Sequence, residues 1–268
     1  MEIKNHKLTD IPFTESPNQS GVIEPDTIII HYTAGASAES SINTLTNPSA
    51  GVSAHIVIAR DGTITQLVPF NKKAWHAGKS HHRDRTGMNK YSIGIELDNP
   101  GILKKSGNKY ISWFGRAYPE EQAIEATHRN EDFPRYWHTF TETQISQAYS
   151  LCELIIQKYG IKYILGHEEV SPGRKQDPGP AFPLDKIRDK LLLDDRSSDE
   201  PDEVPERGEV AVDKLNFRDA PGLHGVKISD PLKKGTAVEI LRRDGEWLEV
   251  KAPITGWVMG KYLKTDNS

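Results

Sequence analysis

The chain has 268 residues, of which 36% are hydrophobic and 27% charged, and a formal net charge of −4 at pH 7. This length allows one large domain or two unequal ones, and the charge gives no reason to expect nucleic acid as a partner. The single cysteine, Cys152, excludes an internal disulfide and a cysteine-rich metal site. Apolar runs stay well short of the roughly 18 residues of a membrane span, so we expect no membrane-spanning segment.

The N-terminal residues are polar. Residues 1–20 include Pro12 and Pro17 and no long apolar run, which predicts an arm packed on the outside of the protein. The opening MEIKNHKLTDIPF has no apolar stretch of signal-peptide length, so we expect no signal peptide in this chain.

Two short apolar runs predict strands that carry a titratable side chain near their ends. Thr27–Ile30 is a β-branched run and predicts a central strand, with His31 at its end. Ser92–Leu97 predicts a second strand that contains Glu96. A carboxylate in an apolar strand is costly to bury without a partner, so the position of Glu96 requires a reason.

Between these strands the sequence predicts a helix, a hairpin and a loop. Residues 38–46 predict a short helix that Asn47-Pro48 closes. In the run AHIVIARDGTITQLV, residues 54–68, two β-rich segments flank Asp61-Gly62, a pair favoured in tight hairpin turns whose central residues both take positive φ. The polar stretch 75–87 predicts a long surface loop.

The clearest helix in the chain comes after a stretch with little regular pattern. Residues 101–140 are rich in aromatic and charged residues and predict an irregular excursion. Thr141–Gln144 fits a capping box, and apolar residues then recur at helical spacing as far as Tyr159, before Gly160. Cys152 lies on the apolar face of this helix and is predicted to be a small buried side chain.

The loop GHEEVSPGRKQDPGPAFP, residues 166–183, carries several reactive side chains. It comes directly after the predicted strand Tyr163–Leu165, so His167 lies just past a strand end, where open α/β sheets place their sites. Its prolines and glycines disfavour helix and central strand, and a rigid loop that carries His167, Lys175 and Asp177 predicts a functional site. The helical zinc-protease motif is excluded because no histidine stands four residues after His167.

A second domain is predicted beyond an amphipathic helix over residues 184–193. Residues 194–208, DDRSSDEPDEVPERG, are strongly acidic and predict a solvated linker that joins an α/β domain of residues 21–193 to a C-terminal domain. Residues 209–268 contain about five short alternating runs with turn signals, which predicts a small all-β barrel. Arg243–Glu246 is predicted to be one of its hairpin turns.

Five polar residues fall at or near strand ends or in the rigid loop: His31, Glu96, His167, Lys175 and Asp177. A catalytic zinc ion takes three protein ligands and leaves a fourth position for water. Two imidazoles and one carboxylate satisfy this requirement without a thiolate. The residues alone therefore favour a His/His/Asp metal hydrolase in an α/β domain, without naming its substrate.

Structural interpretations of the same residues stay open on spacing alone. A histidine at a strand end is more often a hydrogen-bonded structural residue, and the choice of His31 from ten histidines rests on spacing. Glu96 is equally compatible with pairing to an arginine. Lys175 beside Arg174 is equally compatible with an exposed basic pair.

Five ordered motifs resemble those of one family: IIIHYTAG, SAHIVIARDGTITQLV, AWHAGKS, SIGIELDNPG and GHEEVSPGRKQDPGPAFP. In this order they are similar to the zinc-dependent N-acetylmuramoyl-L-alanine amidases. That family includes phage lysozyme-type amidases and anhydro-muropeptide amidases, and it is related to peptidoglycan recognition proteins. The resemblance covers about residues 10–190. It implies a mixed central β-sheet flanked by helices, with zinc bound at one edge.

The resemblance also implies roles for individual residues, and no ligand or catalytic position departs from the family pattern. The implied zinc ligands and catalytic residues are His31, His167 and Asp177 for zinc, Glu96 for the attacking water, and Lys175 for the transition state. His55 and His76 lie in family-like motifs too, and we interpret them as structural or supporting residues rather than ligands.

The implied reaction is hydrolysis of the amide between N-acetylmuramic acid and L-alanine of the peptidoglycan stem peptide by water activated at zinc. Glu96 would act as general base and then acid, and Lys175 would stabilise the oxyanion. One alternative is a peptidoglycan-binding recognition protein that does not cut, against which the complete ligand set argues. The other is a zinc peptidase that cuts within the stem peptide.

The C-terminal segments LNFRDAPG, DGEWLEV and GWVMGKYL are similar to bacterial SH3-like domains, which often bind cell-wall peptides. The expected partner is peptidoglycan or a soluble muropeptide. An SH3-like domain favours action at the bacterial cell wall, periplasmic or extracellular, whereas the expected lack of a signal peptide favours the cytoplasm as the alternative. Residues 104–140 match the family less well and are predicted to line or shape the substrate groove.

Overall fold

The structure is a computed structural model that describes residues 1–193, 207–222, 226–244, 247–252, 254–259 and 263–265. The chain divides into two compact units, Met1–Asp195 and Arg196–Ser268. Most of the predicted linker lies outside the described residues, but Arg207 and Gly208 belong to a strand. Every helix within the described residues is too short or too polar to cross a membrane.

The first unit contains β1 (Ile3–Lys4), β2 (Lys7–Leu8), β3 (Gln19–Val22), β4 (Thr27–Tyr32), α1 (Ala38–Leu45), β5 (Ile56–Ile58), β6 (Ile64–Gln66), β7 (Lys72–Ala74), β8 (His81–His82), β9 (Arg85–Thr86), β10 (Ser92–Leu97), β11 (Ile102–Ser106), β12 (Lys109–Ser112), β13 (Ala117–Tyr118), β14 (Ala123–Thr127), β15 (Pro134–His138), α2 (Glu142–Tyr159), β16 (Tyr163–Gly166), α3 (His167–Val170) and α4 (Leu184–Leu193). The second unit contains β17 (Arg207–Val210), β18 (Lys214–Leu215), β19 (Leu232–Lys233), β20 (Ala237–Asp244), β21 (Trp247–Ala252), β22 (Ile254–Met259) and β23 (Leu263–Thr265).

A five-stranded sheet of order β16-β4-β10-β5-β6 forms the centre of the first unit. The first four strands are parallel to their neighbours, and β6 pairs antiparallel with β5, so the sheet is mixed. In β4, Ile28 and Ile30 join the core that α2 and α4 complete, whereas Ile29 faces a separate cluster on the other side. The predicted mixed sheet with flanking helices is confirmed. The alternation places His31 on the same face as Ile29.

The long helix α2 has the predicted ends. The Thr141 side chain accepts a hydrogen bond from the amide of Gln144, whose own side chain accepts one from the amide of Thr141, which completes the capping box. Gly160 ends the helix with a φ of 63°. Cys152 is fully buried in the core, as predicted.

The hairpin predicted around Asp61 and Gly62 is present, but its turn is not the predicted one. Strands β5 and β6 pair from Ile56 to Gln66, and five residues connect them. Gly62 alone in this turn has a positive φ, of 87°, and the Asp61 carboxylate accepts a hydrogen bond from the amide of Thr63. The longer connection therefore needs only one left-handed residue.

The prediction of an irregular excursion over residues 101–140 is wrong. This stretch forms a second five-stranded antiparallel sheet of order β13-β12-β11-β15-β14, here called the accessory sheet. Ser106 pairs with Lys109 across a two-residue Gly107-Asn108 turn, a strong hairpin signal. The apolar side of the sheet is narrow, and the many exposed aromatic and charged residues obscure its two-residue period.

The second unit contains a five-stranded antiparallel sheet of order β22-β21-β20-β17-β23. Its buried side chains form a core of its own that includes Val210, Phe217 and Leu248. Asp244 pairs with Trp247, so β20 and β21 are joined as the predicted hairpin requires, although the two residues between them lie outside the described part of the chain.

Candidate metal centre and catalytic cleft

Three buried side chains converge at one end of the central sheet. Nδ1 of His31 lies 2.9 Å from Nδ1 of His167 and 2.8 Å from Oδ2 of Asp177, and the last two atoms are 2.9 Å apart. Of the described residues, these form the one group of histidine, cysteine or acidic side chains whose ligand atoms could share a metal ion. The structure thus brings together the three residues singled out from the sequence as ligands.

The parallel pairing of β4 and β16 produces this convergence. Gly166 pairs with Ile30, so the next residue of each strand, His167 and His31, emerges at the same edge of the sheet. His167 begins a single helical turn, α3, although the prolines of the loop predicted none. The turn is possible because none of its four residues is a proline, and Pro172, which has no amide donor to continue the helix, comes only after its end.

The hydrogen bonds of His167 leave its Nδ1 free of a proton. Its Nε2 lies 3.1 Å from the carbonyl oxygen of Ala77, an atom that can only accept. A nitrogen of Arg174 also lies near Nε2 but is farther away, at 3.4 Å. In a neutral ring the closer carbonyl places the proton on Nε2, so Nδ1 directs a lone pair toward His31 and Asp177. Arg174 donates to the same carbonyl and to that of Lys79, which fixes the segment that orients the ring.

A chain of hydrogen bonds fixes the tautomer of His31 in the same way. The Ser92 hydroxyl donates to the carbonyl of Met88 at 2.7 Å, so it accepts from Nε2 of His76, 3.2 Å away. His76 Nδ1 is then an acceptor, and Nε2 of His31 donates to it at 2.9 Å. Nδ1 of His31 consequently directs a lone pair at the centre of the group.

The three ligand atoms therefore fit a cation. Burial, aided by the nearby His167, lowers the pKa of His31 to about 4, so its ring is neutral at physiological pH. Two lone pairs and the carboxylate of Asp177 face one another without a proton to share. Such a donor set suits a divalent zinc ion held by two imidazoles and a carboxylate.

His76 lies in the segment predicted to be a surface loop, and its ring turns inward from that segment. Its ring packs over Gly94 of β10, where a Cβ would lie only 2.5 Å from the imidazole, so a glycine permits the close approach. Burial and the adjacent His31 hold the pKa of His76 well below its ordinary value. His55 is buried nearby, where Nε2 contacts the carbonyl of Lys72 and Nδ1 accepts from the amide of Gly94.

Glu96 lies beside the metal-ligand group. It pairs in register with His31 on the neighbouring strand, so both side chains project from the same face of the sheet. Its Oε2 is buried and has no hydrogen-bond partner. Burial, reinforced by the charge of Asp177 and partly offset by Lys175, raises the pKa of Glu96 to about 8.

A cleft of about 590 Å³, here called the catalytic cleft, opens over this group. Both Glu96 and Lys175 line it, together with His31, His167 and Asp177. Arg174 and its neighbour Lys175 both line the cleft, and the Arg174 guanidinium is anchored there to backbone carbonyls. All five residues selected from the sequence therefore lie around one cavity.

Glu168 supports the loop that carries Asp177, a role the sequence did not reveal. Its buried carboxylate contacts Nε2 of His128 at 2.7 Å and Nε of Arg129 at 3.0 Å, and it accepts from the amide of Gly179 at 3.0 Å. Its own amide donates to the carbonyl of Asp177. The one sequence feature that indicates this role is the acidic residue directly after His167. Two of its partners, His128 and Arg129, directly follow β14 of the accessory sheet, and that sheet was not predicted.

Comparisons with known proteins agree with this geometry. The Amidase_2 family model, N-acetylmuramoyl-L-alanine amidase, matches residues 21–180. N-acetylmuramoyl-L-alanine amidase AmiD of Escherichia coli K12 is 34% identical over 169 residues, which are 60% of this chain and 51% of AmiD. The 1,6-anhydro-N-acetylmuramyl-L-alanine amidase AmpD of the same strain is 34% identical over 139 residues, 51% of this chain and 57% of AmpD.

A crystal structure of a selenomethionine AmpD derivative aligns with a TM-score of 0.50 at 25% identity, covering 70% of this chain and 97% of that one. The chain spans about half the length of the curated relatives it matches. The residues that match the family model include every strand of the central sheet and the five candidate site residues His31, Glu96, His167, Lys175 and Asp177. The chain belongs to the N-acetylmuramoyl-L-alanine amidase family.

Proposed function

We propose that the protein hydrolyses the amide bond between N-acetylmuramic acid and L-alanine of the peptidoglycan stem peptide. The observation that carries the proposal is the convergence of three ligand atoms beside Glu96 and Lys175 in one cleft. Amide hydrolysis needs an activated carbonyl, a base for the attacking water and a positive charge near the oxyanion. The names of AmiD and AmpD, both amidases of muramyl-L-alanine, support this substrate class.

Zinc is the ion that best suits the donor set of His31, His167 and Asp177. Two neutral imidazole nitrogens and a carboxylate oxygen make a three-ligand set that leaves a fourth position open. Each imidazole uses its other nitrogen in an orienting hydrogen bond, as metal-binding histidines generally do. When bound, zinc would polarise the substrate carbonyl and acidify the attacking water.

Glu96 is the general base of the proposed reaction. Its unpartnered Oε2 would accept the proton of the attacking water, and the same oxygen would then deliver it to the departing nitrogen of L-alanine. Burial raises the pKa of this carboxyl, so it holds a proton more tightly than an exposed glutamate, and the positive charge of a bound metal would favour the ionised form that accepts the proton. Oε2 of Glu96 would thus lie close to the water oxygen that gives up the proton and to the nitrogen that receives it.

Lys175 is the residue that balances charge on the substrate. Its ammonium lines the same cleft and would lie near the carbonyl oxygen as that oxygen becomes negative. Arg174 keeps the backbone beside it fixed through its bonds to Ala77 and Lys79.

The domain assignment and the role of the C-terminal unit are also proposals. We assign an arm over residues 1–20, a catalytic domain over 21–193, a linker over 194–208 and an SH3-like domain over 209–268 that binds cell-wall peptides. The antiparallel sheet with its own core in the second unit supports this assignment. A wall-binding domain favours action at the bacterial cell wall over the cytoplasm, and fractionation with an antibody would distinguish these compartments.

Mass analysis of digested sacculi tests the proposed function. We expect intact stem peptides that begin with L-alanine, together with peptide-free glycan. Trimmed stems still attached to glycan would indicate a peptidase within the stem, and binding to sacculi without products would indicate a recognition protein. Glu96→Gln is the matched control, because it should retain zinc by elemental analysis and release no stem peptide.

A further inference from the structure

Trp113 is unusual among the large apolar side chains of the accessory sheet, because it is anchored and yet exposed. It lies at the start of the turn between β12 and β13, with 75% of its surface accessible to solvent. Its indole Nε1 donates to the carbonyl of Ala34 at 2.7 Å. The ring also contacts Phe114 at right angles, with 5.5 Å between the ring centroids, so it is held in place while most of its surface stays exposed.

The turn that carries Trp113 is fixed at several points. The amide of Ser112 donates to the carbonyl of Arg116, and the Ser112 hydroxyl accepts from the amide of Arg116. The Arg116 guanidinium donates to the carbonyl of Ala36 at 2.6 Å. These bonds join the accessory sheet to the turn after His31. The aromatic ring is thus already ordered in the free protein, so ligand binding loses little of its conformational entropy.

Trp113 stands where two clefts meet. The catalytic cleft and a second cleft of about 580 Å³, here called the accessory cleft, both include Tyr32, Ala34 and Trp113 in their walls. The accessory cleft continues over residues of the paired strands β11 and β12, past Ile102 and Ser106. A substrate whose reacting bond lies in the catalytic cleft therefore has a continuous path across Trp113 into the accessory cleft.

The two clefts differ in charge. Of the described residues that line the accessory cleft, Lys104 alone is charged, and the rest are aromatic, aliphatic or hydroxyl-bearing. The catalytic cleft is lined by two cationic side chains, Arg174 and Lys175, and by the carboxylates Glu96 and Asp177. A stem peptide carries carboxylates that suit the two cations of this charged cleft, whereas a glycan offers apolar ring faces bordered by hydroxyl and amide groups. An exposed tryptophan face with serines around it complements such a ring.

We propose that Trp113 stacks against a hexosamine ring on the acyl side of the scissile amide, and that the accessory cleft is a glycan-binding subsite. This inference rests on the proposed function for the orientation of the substrate. It assigns the accessory sheet a role in substrate selection. The protein would consequently favour amides that still carry their saccharide over the same amides without it.

Kinetics on a matched pair of substrates tests the subsite. One substrate is a disaccharide of N-acetylglucosamine and N-acetylmuramic acid with its stem peptide, and the other is the same peptide on a lactoyl group alone. For Trp113→Ala we expect kcat/KM on the disaccharide substrate to fall about tenfold, with little change on the lactoyl peptide. Trp113→Phe should recover part of the loss, because it retains an aromatic face.

Phe133→Ala is the matched control, since Phe133 is also an exposed aromatic residue beside the accessory sheet, at 53%, and lines neither cleft. This variant should have the wild-type kcat/KM on both substrates. Equal losses of Trp113→Ala on both substrates, or no loss on either, would overturn the subsite.

A binding measurement separates this inference from the proposed function. The indole N–H signal of Trp113, assigned in the full chain by its disappearance in Trp113→Phe, should shift when the peptide-free disaccharide is added. A shift in a protein that cleaves neither substrate would support the subsite and reject the proposed hydrolysis. Cleavage without any shift and without a Trp113 effect would reject the subsite alone.

Discussion

His31 Nε2 and His76 Nδ1 lie 2.9 Å apart, and the direction of the hydrogen bond between them is determined by a serine on the far side of His76. Because the Ser92 hydroxyl donates to a carbonyl, His76 presents an acceptor to His31. Ser92, which is separated from His31 by His76, therefore fixes the tautomer of this proposed metal ligand.

Ser92→Ala should weaken zinc binding although Ser92 touches no ligand atom. Without the hydroxyl, His76 is free to place its proton on Nδ1, and His31 then loses the acceptor that keeps its own Nδ1 unprotonated. Loss of such an orienting partner typically lowers metal affinity about 10–100-fold. Competition with a chromophoric chelator at fixed pH measures the change.

Ser80→Ala is the matched control for that measurement. Ser80 is buried close by and accepts from the amide of Met88, but it does not contact His76. Its substitution should leave zinc affinity near the wild-type value. Similar affinities in the two variants would mean that Ser92 acts only by general stabilisation of the fold.

Glu96 should make the metal-free protein less stable as pH rises. The folded state holds the proton of Glu96 up to a pKa of about 8, whereas the ordinary value is 4.5. The folded protein therefore binds this proton more tightly than the unfolded chain. The stability associated with the proton is complete below about pH 4.5 and is lost progressively until about pH 8.

Glu96→Gln removes this titration. After removal of metal by a chelator, the melting temperature of the variant should exceed that of the wild type by an increasing margin from pH 4.5 to 8, and the margin should then stay constant. Thermal melts at half-unit pH intervals measure it. The substitution Glu125→Gln, at an exposed position, should follow the wild-type curve of melting temperature against pH. A constant difference between Glu96→Gln and the wild type over this pH range would contradict the conclusion that burial raises the pKa of Glu96.

The central sheet and its ligands were accessible from the sequence because they depend on local patterns. The isoleucines of β4 place His31 at the sheet edge, and the apolar strand β10 makes Glu96 conspicuous. The loop after β16 carries both His167 and Asp177, so two of the three ligands are close in the chain.

The residues around these ligands could not be predicted from local sequence patterns. His76 contributes through a ring packed on Gly94, and nothing in its own polar segment indicates burial. Glu168 and Trp113 depend on the accessory sheet, whose strands are short and mostly exposed. Their contacts join residues 40 or more positions apart, which no local period reveals.

Lys175→Met should lower kcat with little effect on KM. Methionine preserves the length of the side chain but removes the charge that would face the oxyanion. Loss of a stabilising donor of this kind typically lowers kcat by roughly 10²–10³-fold. Steady-state rates on a soluble muropeptide measure it, and Lys175→Arg should retain part of the rate. A raised KM with unchanged kcat would instead indicate that Lys175 only binds the substrate.

Glu168→Gln should destabilise the fold and loosen the Asp177 loop. The buried carboxylate contacts His128, Arg129 and the amide of Gly179 together, and a neutral amide, with one acceptor oxygen in place of two, leaves part of this buried network unpaired. Such a loss costs about 2 kcal/mol, and zinc affinity should fall with it. Asp185→Asn is the control, because Asp185 binds the same Arg129 at a site that is 66% exposed. It should cost less than about 1 kcal/mol. Denaturant unfolding compares the two, and equal costs would mean that Glu168 contributes no more than a surface ion pair.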